Sequence, residues 1–108
     1  NRADFSGADL RGADFSRADL RMANFSGANI EGAIFNDARL DYARLLSVRG
    51  SMTKLVNTSL LGANLKDADF TGADFTNATL ASTLKQNTNF CNSIDPDGSI
   101  SVCSSNNK

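Results

Sequence analysis

Large apolar residues recur at every fifth position of this chain from Phe5 to Phe90, and that period fits neither an α-helix nor a flat β-strand. Of the 18 positions in the series, 16 carry Phe, Leu or Ile, and only Gly50 and Lys85 depart from the rule. Two residues before each of these centres stands a small side chain: Ala at 13 positions, Thr at 53, 58, 83 and 88, and Val at 48. On an α-helix a step of five residues advances about 500°, so successive centres would be scattered around the cylinder. On a strand the side-chain period of two sends alternate centres to opposite faces. A coil in which each repeat forms one side and one turn satisfies the pattern. Centre and small residue point inward, the other three point outward, and the small residue marks the closest approach of the walls. The expectation is an all-β solenoid over 1–90.

The motif Ala-(Asp/Asn)-(Leu/Phe)-X-X, as in Ala3-Asp4-Phe5-Ser6-Gly7 and Ala8-Asp9-Leu10-Arg11-Gly12, resembles that of the pentapeptide-repeat proteins. The resemblance implies a right-handed, four-sided parallel β-helix with four repeats, or twenty residues, in each coil. That register places Leu20, Leu40, Leu60 and Leu80 in one column and Phe15, Phe35, Leu55 and Phe75 in another. Leu10, Ile30, Gly50, Phe70 and Phe90 form a third, and Phe5, Phe25, Leu45, Leu65 and Lys85 a fourth.

The pattern weakens in the middle. Between Leu46 and Lys54 the Ala and Asp signature is lost while the register holds on both sides, and Gly50 leaves a gap in its column that a strained or kinked coil would accommodate. Leu46, Met52, Val56 and Leu61 stand at outward positions there, where a contiguous apolar patch would mark a partner site. Arg39, Arg44, Arg49 and Lys54 replace the Asp or Asn that precedes the centre elsewhere, forming a basic band suited to an acidic partner or to solvent. The candidate partner patch is therefore Leu46, Arg49, Met52, Lys54, Val56 and Leu61. Asp4, Asp9, Asp14, Asp19, Asp69 and Asp74, with Asn24, Asn29, Asn64 and Asn89, are expected to bond the neighbouring backbone at turns.

Beyond Phe90 the periodicity stops, and 91–108 is expected to be a cap and tail. An open solenoid end exposes core and unpaired backbone and needs covering. Pro96-Asp97-Gly98 is a turn signal, with Ile94, Ile100 and Val102 as its apolar face. Asp95-Pro96-Asp97-Gly98-Ser99 has a faint likeness to a calcium loop but lacks the further carboxylates such a site requires, and reads as a turn. Cys91 and Cys103 are expected to form a disulfide that staples the cap, worth about 3 kcal/mol by loop entropy, with two free thiols as the alternative. A disulfide implies an oxidising compartment. Repeats followed by Cys91-Asn92, Pro96, Asp97 and Gly98 also resemble the thylakoid-lumen branch of the family. The lumen is thus the expected location, with the periplasm or another oxidising space as the alternative.

Function is bounded mainly by exclusion. The chain has no His, so triads of the Ser-His type and histidine metal sites are ruled out. Its carboxylates belong to a repeat, single out no catalytic pair, and no phosphate-binding glycine loop is present. No enzyme, cofactor or metal is expected. With 11 Lys and Arg against 12 Asp and Glu, a net charge of −1 offers no general attraction to nucleic acid or anionic membrane. No apolar run approaches the roughly 20 residues that span a bilayer, and no secretory signal is present. The chain starts in mid-repeat, so Asn1 reads as a boundary with room for a targeting segment upstream. The expectation is a non-enzymatic structural or protein-interaction scaffold, monomeric or weakly oligomeric. Its alternative is a DNA-mimic regulator of a topoisomerase, which the resemblance implies for other, more acidic members of the family.

Overall fold

The computed structural model describes residues 2–103. Its frame is set by the turns. Every fifth residue from Arg2 to Asn92 has a positive φ, between 56° and 71°, whether it is glycine or not. From Gly7 to Asn92 each of these residues is the third of a four-residue turn, as at Ala8, whose N–H donates to Phe5 O at 3.0 Å. Ten of the turns are reinforced by the residue before the centre. The side-chain oxygens of Asp4, Asp9, Asp14, Asp19, Asn24, Asn29, Asn64, Asp69, Asp74 and Asn89 each accept the backbone N–H two residues on. The expectation of turn-bonding side chains thus holds at all ten positions.

One turn every five residues bends the chain around a square section, with lateral extents of 26 and 25 Å. Parallel bridges join residues twenty apart, from Asp4 with Asn24 to Asp74 with Ile94. On each side the centre and the corner residue donate N–H groups to the next coil, as in Phe5 N to Asn24 O and Gly7 N to Ser26 O. The next coil returns one, Asn24 N to Ala3 O. The fold is a right-handed four-sided β-helix, as expected. We number its faces by their centres: face 1 holds Phe5 to Lys85, face 2 Leu10 to Phe90, face 3 Phe15 to Asp95, and face 4 Leu20 to Leu80.

Inside, Phe5 stacks on Phe25 at 4.9 Å and Phe15 on Phe35 at 5.1 Å, while Phe5 meets Phe15 edge-on from the opposite face at 5.6 Å. The interior admits only Ala, Val, Thr or Ser at the small positions. Where these are Thr, the hydroxyl finds a carbonyl: Thr58 Oγ1 donates to Phe35 O at 2.7 Å and Thr88 Oγ1 to Leu65 O at 2.6 Å.

Two expectations are corrected. The coil neither kinks nor opens at Gly50: its N–H bonds Asp69 O at 2.7 Å in the ordinary register. The Phe70 ring occupies the space of the missing side chain, 2.9 Å from where a Cβ would stand. The periodicity also runs past Phe90. Ser93 takes the small position and is fully buried, Ile94 bridges Asp74, and Pro96 O accepts Asn77 N–H at 2.8 Å. This repeat escapes a pattern search because its centre is Asp95. The coil ends one turn later for a local reason: Asp97 does not adopt the positive φ of every earlier corner, and Gly98 takes it instead, at 88°. The chain then folds back, and Ile100 pairs antiparallel with Ile94.

Candidate functional site

The candidate patch does not assemble on one side of the rod. Because each repeat turns the chain by about a quarter of the section, Leu46 lies at the corner between faces 1 and 2 and Met52 between faces 2 and 3. Val56 lies between faces 3 and 4, and Leu61 between faces 4 and 1. Leu46, Val56 and Leu61 are half-buried, whereas Met52 is 64% exposed. Met52 folds along the corner onto Gly72, whose added Cβ would stand 2.5 Å from its Sδ. A single flat surface cannot touch all four, so the contiguous patch becomes four separate corners.

The same geometry turns the basic band into a belt. Arg39 lies on face 4 between Asp19 and Ser59, and Arg44 on face 1 between Asn24 and Asn64. Arg49 lies on face 2 between Asn29 and Asp69, and Lys54 on face 3 between Ile34 and Asp74. All four are exposed, one positive charge to a face. The first coil carries an opposite ring of Asp4, Asp9, Asp14 and Asp19. Two of these are paired: Arg11 with Asp9 and Arg21 with Asp19, each at 2.7 Å. The side-chain bond from Arg11, with its backbone N–H, holds the Asp9 carboxyl at about 2. The same two bonds from Arg21 hold Asp19 lower still.

One corner does gather apolar surface, through residues that a scan for broken repeats passes over. Met22 and Tyr42 stand one coil apart at the corner between faces 4 and 1, 42% and 59% exposed, with Leu61 half-buried in the following coil. Arg39 and Arg44 flank them on the two adjoining faces. The signal in the sequence is a large side chain at corner positions that elsewhere favour Gly, Asn, Asp or Ser. At the end of the rod, Cys91 and Cys103 are joined with Cα atoms 4.7 Å apart, within the span a disulfide needs, which fastens the returning strand to the last corner.

Comparison with known proteins agrees with this architecture. The family model described as pentapeptide repeats matches in eight copies over residues 1–37 and 53–81, more than half of the chain. No curated protein matches the sequence. Among solved structures, the pentapeptide repeat protein Rfr23 of the cyanobacterium Cyanothece superposes with a TM-score of 0.79 at 27% identity, over 80% of this chain and 58% of that one. QnrB1, a plasmid-mediated fluoroquinolone resistance protein, gives 0.69 at 30% identity, over 86% of this chain and 51% of that one. A pentapeptide repeat protein of the Arabidopsis thaliana thylakoid lumen gives 0.56 at 24% identity, over 82% and 66%. The chain spans between about half and two thirds of the length of these relatives. With its five-residue period, its square coil and the match to the repeat model, the chain belongs to the pentapeptide-repeat family.

Proposed function

We propose that this domain is a non-enzymatic scaffold that holds a protein partner against the corner between faces 4 and 1, in an oxidising compartment, with the thylakoid lumen in first place. The observation that carries the reading is the Tyr42 corner. An exposed Tyr and Met on a rigid wall, flanked by Arg39 and Arg44, have the composition of interface anchors. The two arginines, which begin the one run of the sequence where bases stand before the centre, favour a partner with an acidic rim. Of the original patch, Leu61 belongs to this corner, while Leu46, Arg49, Met52, Lys54 and Val56 serve other faces of the belt. The absence of His and of any distinct carboxylate pair supports a non-catalytic role. The compartment rests on the Cys91–Cys103 pair. The Arabidopsis protein shows only that this fold occurs in the lumen.

The test is crosslinking and capture from the native source with the wild-type chain and with Tyr42→Ala and Arg44→Glu variants. A partner held by the wild type and lost by both variants supports the reading; a partner held equally by all three overturns it. Alkylation before reduction tests the compartment, since labelled thiols at 91 and 103 would remove it.

A second reading, regulation of a topoisomerase through likeness to DNA, is favoured by the similarity to QnrB1. Against it stands the surface charge: Arg44 interrupts the column Asp4, Asn24, Asn64, and Arg49 the column Asp9, Asn29, Asp69. A supercoiling assay with purified gyrase decides this, and unchanged activity at high protein concentration excludes it.

A further inference from the structure

Among the described residues, the cap covers one of the four faces at the C-terminal end. Asn92 N donates to Ser101 O, Ser101 N to Ser93 O and Asp95 N to Ser99 O, so the returning strand pairs with face 3 and the corner before it. On faces 4, 1 and 2 the last coil keeps its ladder groups free among the described residues. Leu80, Ser82, Lys85, Asn87 and Phe90 have N–H groups without acceptors, and Ala78, Thr83 and Thr88 have carbonyls without donors. These are the groups that every earlier coil uses to hold the next one. A free edge of this kind binds an extended chain.

The chemistry of the occupant follows from what lies inside that edge. The end of the coil opens as a cleft of about 430 Å³ floored by Phe75, Leu80 and Phe90, where further coils would place another layer of apolar centres. Lys85 stands at the centre position of face 1 and is exposed. No carboxylate lies within ion-pairing distance of it among the described residues. The Asp95 carboxylate, across the coil on face 3, is engaged by the Ser99 and Ser101 hydroxyls. Asp97, which also lines the cleft, has its carboxylate engaged by the Ser99 N–H at 3.0 Å and the Ser99 hydroxyl at 2.6 Å, so Lys85 is the one cation among the residues that line it and pairs with neither carboxylate. Leu84, 48% exposed on the outer side of the same face, extends the apolar surface around the edge.

We propose that this edge binds an extended segment of a protein partner as a further parallel strand over faces 4 and 1, with a large apolar side chain over Leu80 and a carboxylate over Lys85. The ladder dictates the backbone part. The segment donates one N–H to Thr83 O from the residue before its acidic centre and accepts the N–H groups of Lys85 and Asn87 with two carbonyls, as each coil does for the one before it. Apolar burial in the cleft and the charge over Lys85 select the side chains. This goes beyond the Tyr42 corner and rests only on the reading of the domain as a protein binder.

The experiment uses the oxidised chain and a fluorescein-labelled peptide of two repeats, Ala-Asp-Leu-Ser-Gly-Ala-Asp-Glu-Ser-Gly, read by anisotropy. Binding is expected to weaken roughly tenfold when the peptide's Glu is replaced by Lys, and Lys85→Glu should reverse that preference. Methylating the peptide nitrogen that faces Thr83 O should abolish binding without touching the protein. Tyr42→Ala should leave all three results unchanged, which keeps this edge distinct from the corner. Absence of binding, or binding indifferent both to the charge swap and to N-methylation, overturns the proposal.

Discussion

The ring of Tyr42 lies on the backbone of Gly62, twenty residues further along and one coil up, so closely that a Cβ built on Gly62 would stand 2.5 Å from its Cδ1. Gly62 also has a φ of 67°, as its corner position requires. The two residues form a pair: the glycine provides the seat and the ring shields the turn. Gly62→Ala is expected to destabilise the fold by about 1–2 kcal/mol from the backbone alone, with a further cost from displacing the ring. In a Tyr42→Ala background the same change should cost only the backbone part. A double-mutant cycle by urea denaturation measures the difference, and additive effects would mean that the ring does not sit on the glycine.

Gly50 behaves in the opposite way from an ordinary gap in a core. Since Phe70 already fills its place, Gly50→Ala should destabilise by about 1–3 kcal/mol through overpacking rather than stabilise by filling space. Phe70→Leu should relieve that cost, which equilibrium unfolding of the single and double variants will show.

The inward threonines replace Ala in the later coils and gain a hydrogen bond. Thr58→Val removes the Oγ1 donor from Phe35 O, which keeps its bond from Ala38 N, and should cost about 1 kcal/mol. Unfolding with an unchanged m-value is the measurement, and a neutral effect would show the hydroxyl to be dispensable.

Stability should fall in acid, and the first coil should lead. Hydrogen bonds from Ser6 to Asp4, Arg11 to Asp9, Ser16 to Asp14 and Arg21 to Asp19 lower the folded-state pKa of each carboxyl. A folded value below the unfolded one, about 3.9 for Asp, gives stability that is complete above that value. It is lost as the pH falls toward the folded value, about 2 for Asp9. Urea midpoints should therefore decline between about pH 5 and pH 2, and Asp9→Asn with Asp19→Asn should flatten that decline.

The Cys91–Cys103 bond fastens one strand of the cap and no inner coil. Reduction, or Cys103→Ser, should lower global stability by about 2–4 kcal/mol or less, since the cap can fray separately. Hydrogen exchange should quicken first at Asn92 and Ser101, which bond across the cap, while Leu40 and Leu60 amides inside the rod stay protected.

Much of the architecture was legible from order along the chain. The five-residue spacing of centres, the small residue two places earlier and the turn-forming Asp or Asn before the centre are each local, and each repeat states them again. A period that suits neither helix nor strand leaves a coil. What twenty residues per coil brings together could then be listed by column, and the observed bridges follow those columns.

Other features depend on contacts between coils, which no single repeat contains. Whether Gly50 is a gap or a seat is decided by the ring of Phe70 one coil later. Whether Leu46, Met52, Val56 and Leu61 form a surface is decided by four successive corners that turn them apart, while the same turns bring Met22, Tyr42 and Leu61 onto one edge. The end of the coil is decided by the backbone at Asp97 and Gly98, and its free edge by how little of the last coil the returning strand can cover. The sequence determined the repeat because turn geometry and side-chain size act within five residues. The tertiary structure decided the surfaces, because they are made by residues about twenty apart whose side chains meet only when the coils stack.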